Sequence, residues 1–388
     1  MKKDTKRGRD SEKIPVSSKT TVLSSTDNIR RTIDVNNSDD SDEEFIDFII
    51  GKYYNKKKGE SEPKNYEYVR ITKQINNIDD LIELSKLYDE KENKKYNINM
   101  VSLIKLVEPL TELKKMVGME KLKKSILNQV IYFLQDFEEK NAHMMHTIIE
   151  GPPGSGKTEV AKILSKIYSK LGFLKKDKVS VVKRSDLVGQ YLGQTAIKTQ
   201  KAIDNAKGGV LLIDEAYSLG NPEGRDSFSK ECIDTINQNL SEEKSEFICI
   251  IVGYKNSLKN SFFSYNPGLE RRFPFRYTID EYTHKDLYNI FKKLLVDYKW
   301  EMIIDDKKCL KFFEENRKIF EFNGGDLETL IQCSKIAHSR RVFTLEIPNK
   351  KKLTIDDLEN GLKLMMENED IAKRKNQSDF NIISHLYN

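Results

Sequence analysis

Residues Gly151-Pro152-Pro153-Gly154-Ser155-Gly156-Lys157-Thr158 spell G-x-x-x-x-G-K-[ST]. The apolar run Thr147-Ile148-Ile149, a predicted strand, leads into them, and a helical pattern, Glu159–Leu171, leads out. A strand, a glycine-rich loop and a helix in this order form a cradle for phosphate. The glycines let backbone amides turn inward, and the helix N-terminus adds its partial positive charge. The expected roles are Lys157 on the β/γ-phosphates and Thr158 as a Mg²⁺ ligand. Such a loop needs a crossover architecture around it, which points to an α/β fold.

A second motif supports this. Val210-Leu211-Leu212-Ile213-Asp214-Glu215 reads as a buried strand ending in two carboxylates. Asp214 would hold Mg²⁺ directly or through water, and Glu215 would orient and deprotonate an attacking water. Two further apolar runs, Val179–Val182 and Phe247–Val252, suit buried parallel strands. Together these runs predict a sheet with crossover helices over residues 101–280. After about residue 281 no further strand is predicted. Helical patterns follow near 283–298, 305–318, 326–342 and 354–368, the last opening on a Thr354/Asp357 capping box.

Lys and Arg number 66 against 61 Asp and Glu, a net charge of +5. That near-balance argues against a dedicated nucleic-acid binder. The four cysteines, Cys232, Cys249, Cys309 and Cys333, form no C-x-x-C pair, so they read as thiols of a reducing compartment. No run is long enough to span a membrane, and the charged start lacks a signal-peptide core. Residues 1–44 read as a disordered tail, alternatively a nuclear-import signal or an adaptor-binding arm. Residues 45–100 read as an accessory region with a helical stripe, Ile78 to Leu87, and residues 373–388 as a C-terminal tail. His143 and His146, which flank the strand into the loop, read as structural.

The two motifs resemble those of AAA+ ATPases. More narrowly, the chain resembles the branch of CbbX/CfxQ-type rubisco activases and stage V sporulation K-type ATPases. That likeness rests on Asp186 to Thr195, Gly208 to Tyr217, Gly253-Tyr254 and Asn266-Pro267-Gly268-Leu269-Glu270-Arg271-Arg272-Phe273. Gly324 to Glu328 and His338 to Phe343 are similar to versions found in large DNA viruses and some protists. The resemblance implies a three-layer P-loop domain over 101–280 and a small helical lid domain over 281–372. It implies an ATP- and Mg²⁺-dependent ATPase working as a hexameric ring on a protein substrate, with no membrane partner. Its compartment would be the cytoplasm, with the nucleus or a viral factory as alternatives. Tyr191-Leu192-Gly193 matches the pore loop that grips a polypeptide. Arg272 matches the finger that reaches a neighbour's γ-phosphate, with Arg271 assisting. Met116-Val117-Gly118 matches the segment lying against adenine.

Two positions depart from the family pattern. The sensor-1 position, usually a small polar residue, falls on Tyr254 or Asn256. The sensor-2 position reads Gly325-Asp326-Leu327-Glu328, without arginine. Arg340 lies about fourteen residues further on, roughly 21 Å along a straight helix, too far to take over that contact in its own subunit. Three functions follow: a protein-remodelling ring motor, a nucleic-acid motor, or a nucleotide-controlled scaffold with little turnover.

Overall fold

The computed structural model describes residues 67–88, 94–137, 144–191, 193–220, 226–242, 246–266, 268–303, 305–344, 350–372 and 374. The readings of residues 1–44, the first part of the 45–100 region, up to residue 66, His143, Leu192 and, Arg374 apart, 373–388 lie outside them.

Strand β1 (Glu67–Val69) pairs in parallel with β2 (Lys94–Tyr96), and helix α1 (Ile78–Ser85) lies between them in sequence. Asn77 caps α1 and Asp80 reciprocates, a capping box that starts the helix where the apolar stripe begins. Helices α2 (Met100–Lys105), α3 (Val107–Lys115) and α4 (Glu120–Leu134) follow. The first sheet strand, β3 (Thr147–Glu150), feeds α5 (Lys157–Lys170). Next come β4 (Val179–Val182), the short α6 (Arg184–Leu187), α7 (Gln194–Ala206), β5 (Val210–Ile213), α8 (Ser227–Glu242), β6 (Ile248–Gly253) and β7 (Phe275–Thr278).

The sheet runs β4-β5-β6-β3-β7, all parallel. Alternate residues of the inner strands β3, β5 and β6 enter different cores, as a two-residue period requires. Ile149, Leu212 and Ile250 face Leu122 and Ile126 of α4 and Val160 and Leu164 of α5. Ile148, Leu211, Cys249 and Ile251 face Ile203 of α7 and Ile233 and Ile236 of α8. The result is helix, sheet, helix: the α/β three-layer arrangement expected. Helix α3 packs on α5, with Lys166 bonded to Glu112 at 2.6 Å, so the residues before 147 belong to the same core as the loop helix.

After β7 come α9 (His284–Asp297), β8 (Glu301–Met302), α10 (Asp306–Glu315), α11 (Gly324–Val342), β9 (Lys352–Leu353) and α12 (Ile355–Met366). The expected Thr354/Asp357 capping box starts α12. Three points correct the sequence reading. Strand β7 is additional to the predicted strands; it alternates, with Tyr277 buried and Arg276 and Thr278 outward, because it lies at a sheet edge. Strands do not stop at residue 281, since β8 and β9 form a parallel pair. The segment before residue 100 contains strands as well as the helix.

Candidate active site

Strands β3, β5 and β6 end on one side of the sheet, and the candidate residues leave from those ends. In parallel sheets this is the edge where ligands bind. Between β3 and α5, Gly154 and Gly156 hold φ of +62° and +80°, a region that favours glycine. The hydroxyl of Ser155 donates to the Pro152 carbonyl at 2.8 Å.

Lys157 Nζ also donates to the Pro152 carbonyl, at 2.6 Å, and lies 4.7 Å from the centre of the Tyr254 ring. Burial pushes its ammonium down to about 8, against smaller upward pulls from Asp214 and Glu215. Thr158 Oγ1 donates to Asp214 Oδ2 at 3.2 Å, bringing two motifs 56 positions apart into contact. A hydroxyl beside a carboxylate is an all-oxygen donor pair of the kind Mg²⁺ takes when phosphates complete its shell, so these residues fit that ion. Glu215 is exposed and left-handed (φ +53°), which carries its side chain off the strand line.

Of the two sensor-1 candidates, Tyr254 belongs to this cluster. Its ring stacks on Tyr217 with centroids 4.9 Å apart, and Lys157 sits over it. Asn256 is exposed, on a short helical turn beyond. Tyr217 was not singled out in the sequence. Nor was Arg184, which joins Ser218 O and Ser229 Oγ at 2.7 Å each and Asp226 Oδ2 at 2.6 Å. That contact ties the segment after Glu215 to α6, which leads into residues 189–193.

Among these, Tyr191 is 68% exposed, and Gly193 (φ +80°) opens α7. Arg272 donates to Ser241 Oγ at 2.6 Å and Gly268 O at 2.8 Å, and none of its bonds among the described residues reaches the phosphate loop. Arg271 is exposed beside it. Met116 does reach the loop: its terminal methyl lies 3.1 Å from where a Cβ on Gly156 would stand. Val117 and left-handed Gly118 follow, and Gly118 packs against Tyr282 and Asp286.

The residues after 281 touch the loop more closely than the sequence indicated. Asn323 Nδ2 donates to Pro153 O at 3.0 Å, Gly324 N to Gly154 O at 3.2 Å, and Tyr282 Oη to Ser155 O at 2.9 Å. The first turn of α11 lacks arginine in its own sequence. Arg374 nevertheless reaches it, donating to both oxygens of buried Asp326 at 3.1 and 2.9 Å and lying 4.3 Å over the Phe322 ring. Arg340 is exposed near the far end of the helix. His146 is structural, as expected: it is buried, and its Nδ1 accepts from Cys249 N–H at 3.0 Å.

Fold and site together define a nucleotide-binding P-loop ATPase, and the family model "ATPase family associated with various cellular activities (AAA)" matches residues 147–280. The putative cfxQ-like protein R730 of Acanthamoeba polyphaga mimivirus is 43% identical over 310 residues, 79% of this chain and 76% of that one. The chain therefore belongs to the CfxQ-like family of AAA ATPases. Stage V sporulation protein K of Bacillus subtilis is 36% identical over 199 residues, 49% of this chain and 61% of that protein. The chloroplastic ribulose bisphosphate carboxylase/oxygenase activase of Cyanidioschyzon merolae is 33% identical over 233 residues, 60% and 76% of the two chains. No helix among the described residues is long and apolar enough to cross a membrane.

Proposed function

We propose that this ATPase hydrolyses Mg-ATP at sites shared between subunits of a hexameric ring and uses the cycle to pull on a polypeptide, in the cytoplasm. The observation that carries the hydrolytic part is the Thr158–Asp214 contact at 3.2 Å with Glu215 one residue on. Thr158 and Asp214 would hold the Mg²⁺, which neutralises charge on the phosphates when bound. Loop residues Gly151 to Thr158 bind the phosphates, with Lys157 leaving the Pro152 carbonyl for the β/γ oxygens. Glu215, exposed at the strand end, accepts the water's proton. Met116, Val117 and Gly118, beside Gly156, flank the base. Arg272, with Arg271, acts on a neighbour's nucleotide, a reading carried by the Asn266 to Phe273 motif.

The pulling part rests on Tyr191, a large aromatic 68% exposed on a loop between glycines. Rigid aromatic area grips varied peptides at low entropy cost. In the test, Glu215→Gln is used to trap a protein partner, and ATPase and partner unfolding are then measured for wild type and Tyr191→Ala. Tyr191→Ala is expected to keep basal turnover within about threefold and lose unfolding, since the contact lies outside the hydrolytic site. Unimpaired unfolding, or stimulation only by nucleic acid, overturns the protein-pulling reading. Substantial turnover by Glu215→Gln moves the catalytic base elsewhere.

A further inference from the structure

The carbonyls of three successive phosphate-loop residues, Pro153, Gly154 and Ser155, accept hydrogen bonds from outside the loop. Their donors are Asn323 Nδ2, Gly324 N–H and Tyr282 Oη. All three donors come from the part of the chain beyond the five-stranded sheet. The peptide unit is planar and trans, so its C=O and N–H point in opposite directions. Fixing the carbonyls of residues 153, 154 and 155 outward therefore fixes the N–H groups of Gly154, Ser155 and Gly156 the other way. Those N–H groups are what a phosphate loop offers its ligand.

Asn323 makes its contact at a cost. Its backbone stands at φ +46°, ψ −111°, unfavourable for any residue with a Cβ. Its side chain is buried, and its own Oδ1 has no hydrogen-bond partner among the described residues. Glycine would relieve the backbone strain, and a small apolar side chain would avoid burying a lone acceptor. Neither could reach the Pro153 carbonyl. Gly154 is fitted to the same contact, because a Cβ there would come within 2.0 Å of the Phe322 carbonyl oxygen.

We propose that Asn323 and Tyr282 are positioning residues for the nucleotide: through the Pro153 and Ser155 carbonyls they preset the loop amides for phosphate, so nucleotide binding and docking of the α9–α12 domain strengthen each other. The second half follows from the first by linkage. If docking raises phosphate affinity, phosphate tightens docking by the same factor. No arginine in the first turn of α11 is needed, since the contact is to the loop's backbone. The proposal rests on the ATP-site reading above.

The test uses Asn323→Gly and Tyr282→Phe in the full chain. The first removes the amide while easing the backbone; the second removes only a hydroxyl. Mg-ADP is titrated by calorimetry, and urea unfolding is followed by the fluorescence of Trp300 with and without Mg-ADP. Each variant is expected to weaken Mg-ADP binding about fivefold, and the pair about twentyfold, as loss of one or two positioning hydrogen bonds would. The Mg-ADP-induced rise in the urea midpoint should shrink in step. Asn323→Gly without nucleotide should unfold no earlier than wild type, which separates positioning from simple stability. Wild-type affinity in both variants overturns the proposal, and so does a full-sized Mg-ADP-induced rise. Absence of Mg-ADP binding by the wild type would instead defeat the ATP-site reading itself.

Discussion

Gly154→Ala and Gly156→Ala insert the same methyl group two residues apart, each at a left-handed backbone position, φ +62° and +80°. The backbone penalty is therefore similar, about 1 kcal/mol. Their surroundings differ. At Gly156 the new Cβ would meet Met116 and Met119 only at their terminal methyls, 3.1 and 3.5 Å away, and such chain ends yield easily. At Gly154 it would lie 2.0 Å from the Phe322 carbonyl oxygen and 3.3 Å from Gly324 N. Backbone must then retreat by about 1 Å or more to reach tolerable contact, breaking the Gly324–Gly154 and Asn323–Pro153 bonds of 3.2 and 3.0 Å. Two hydrogen bonds at about 1 kcal/mol each bring the Gly154→Ala cost to roughly 3 kcal/mol, some 2 kcal/mol beyond Gly156→Ala. The assay is urea unfolding without nucleotide, read by Trp300, the chain's single tryptophan, whose ring packs edge-to-face with His338, centroids 5.5 Å apart. With a slope of about 2 kcal/mol per molar, Gly154→Ala should lose about 1 M more in midpoint than Gly156→Ala. Equal midpoints for the two variants, or a larger loss in Gly156→Ala, would refute the argument from the Phe322 contact.

Two other sites give independent tests. Burial holds the His146 imidazole down to about 4, against a smaller upward pull from the Leu240 backbone. The unfolded chain takes up this proton as pH falls through about 6.5 while the folded chain stays neutral, so this stability is complete above that pH and is lost below it; roughly 2 kcal/mol should go between pH 7 and pH 5. In His146→Phe, packed between Phe247 and Phe273, that part of the pH dependence should vanish although overall stability is lower; an unchanged slope in guanidinium titrations would contradict the assignment. Asp226 is held at about 2, first by the Ser229 hydroxyl, against burial, and then by Arg184. Arg184→Ala should cost about 1 kcal/mol after allowing for its partial exposure, and Arg184→Lys should recover only part, because one ammonium cannot reproduce the guanidinium fork to Ser218, Ser229 and Asp226. Full recovery in a thermal melt by Arg184→Lys would count against that geometry.

Much of this site was legible because its signals are local. The phosphate loop is a run of eight residues, and Val210 to Glu215 carries its burial and its chemistry in one stretch. Strand β7 escaped because Arg276 interrupts its apolar run, and only the fold shows that this arginine pairs with Glu150 and Glu270. Strands β1, β2, β8 and β9 are two or three residues long, too short for any periodicity to register. Tyr254 and Asn256 are not distinguished by the sequence, and only the fold brings the Tyr254 ring under Lys157. Asn323 was invisible, since its partner Pro153 lies 170 positions away and nothing in an Asn-Gly-Gly string announces a backbone acceptor. The finger reading of Arg272 remains with the motif alone, because its partner would belong to another subunit.

The recognisable block, residues 147–280, is shorter than the unit that holds it up. One apolar core extends from Ile78 through Leu106, Leu110 and Leu113 to Ile149 and Leu164, and on to Leu330 and Ile371. Leu106, Leu110 and Leu113 are fully enclosed, and each contributes roughly 2 kcal/mol by its burial. A fragment cut at the edges of the matched block would open that core on two sides. For the same reason, a chimera that imports a relative's ATPase block must bring helices α2 to α4 with it, or redesign the surface they cover. Any dissection of this protein has to keep Ile78 through Ile371 together, well beyond the region that its motifs mark.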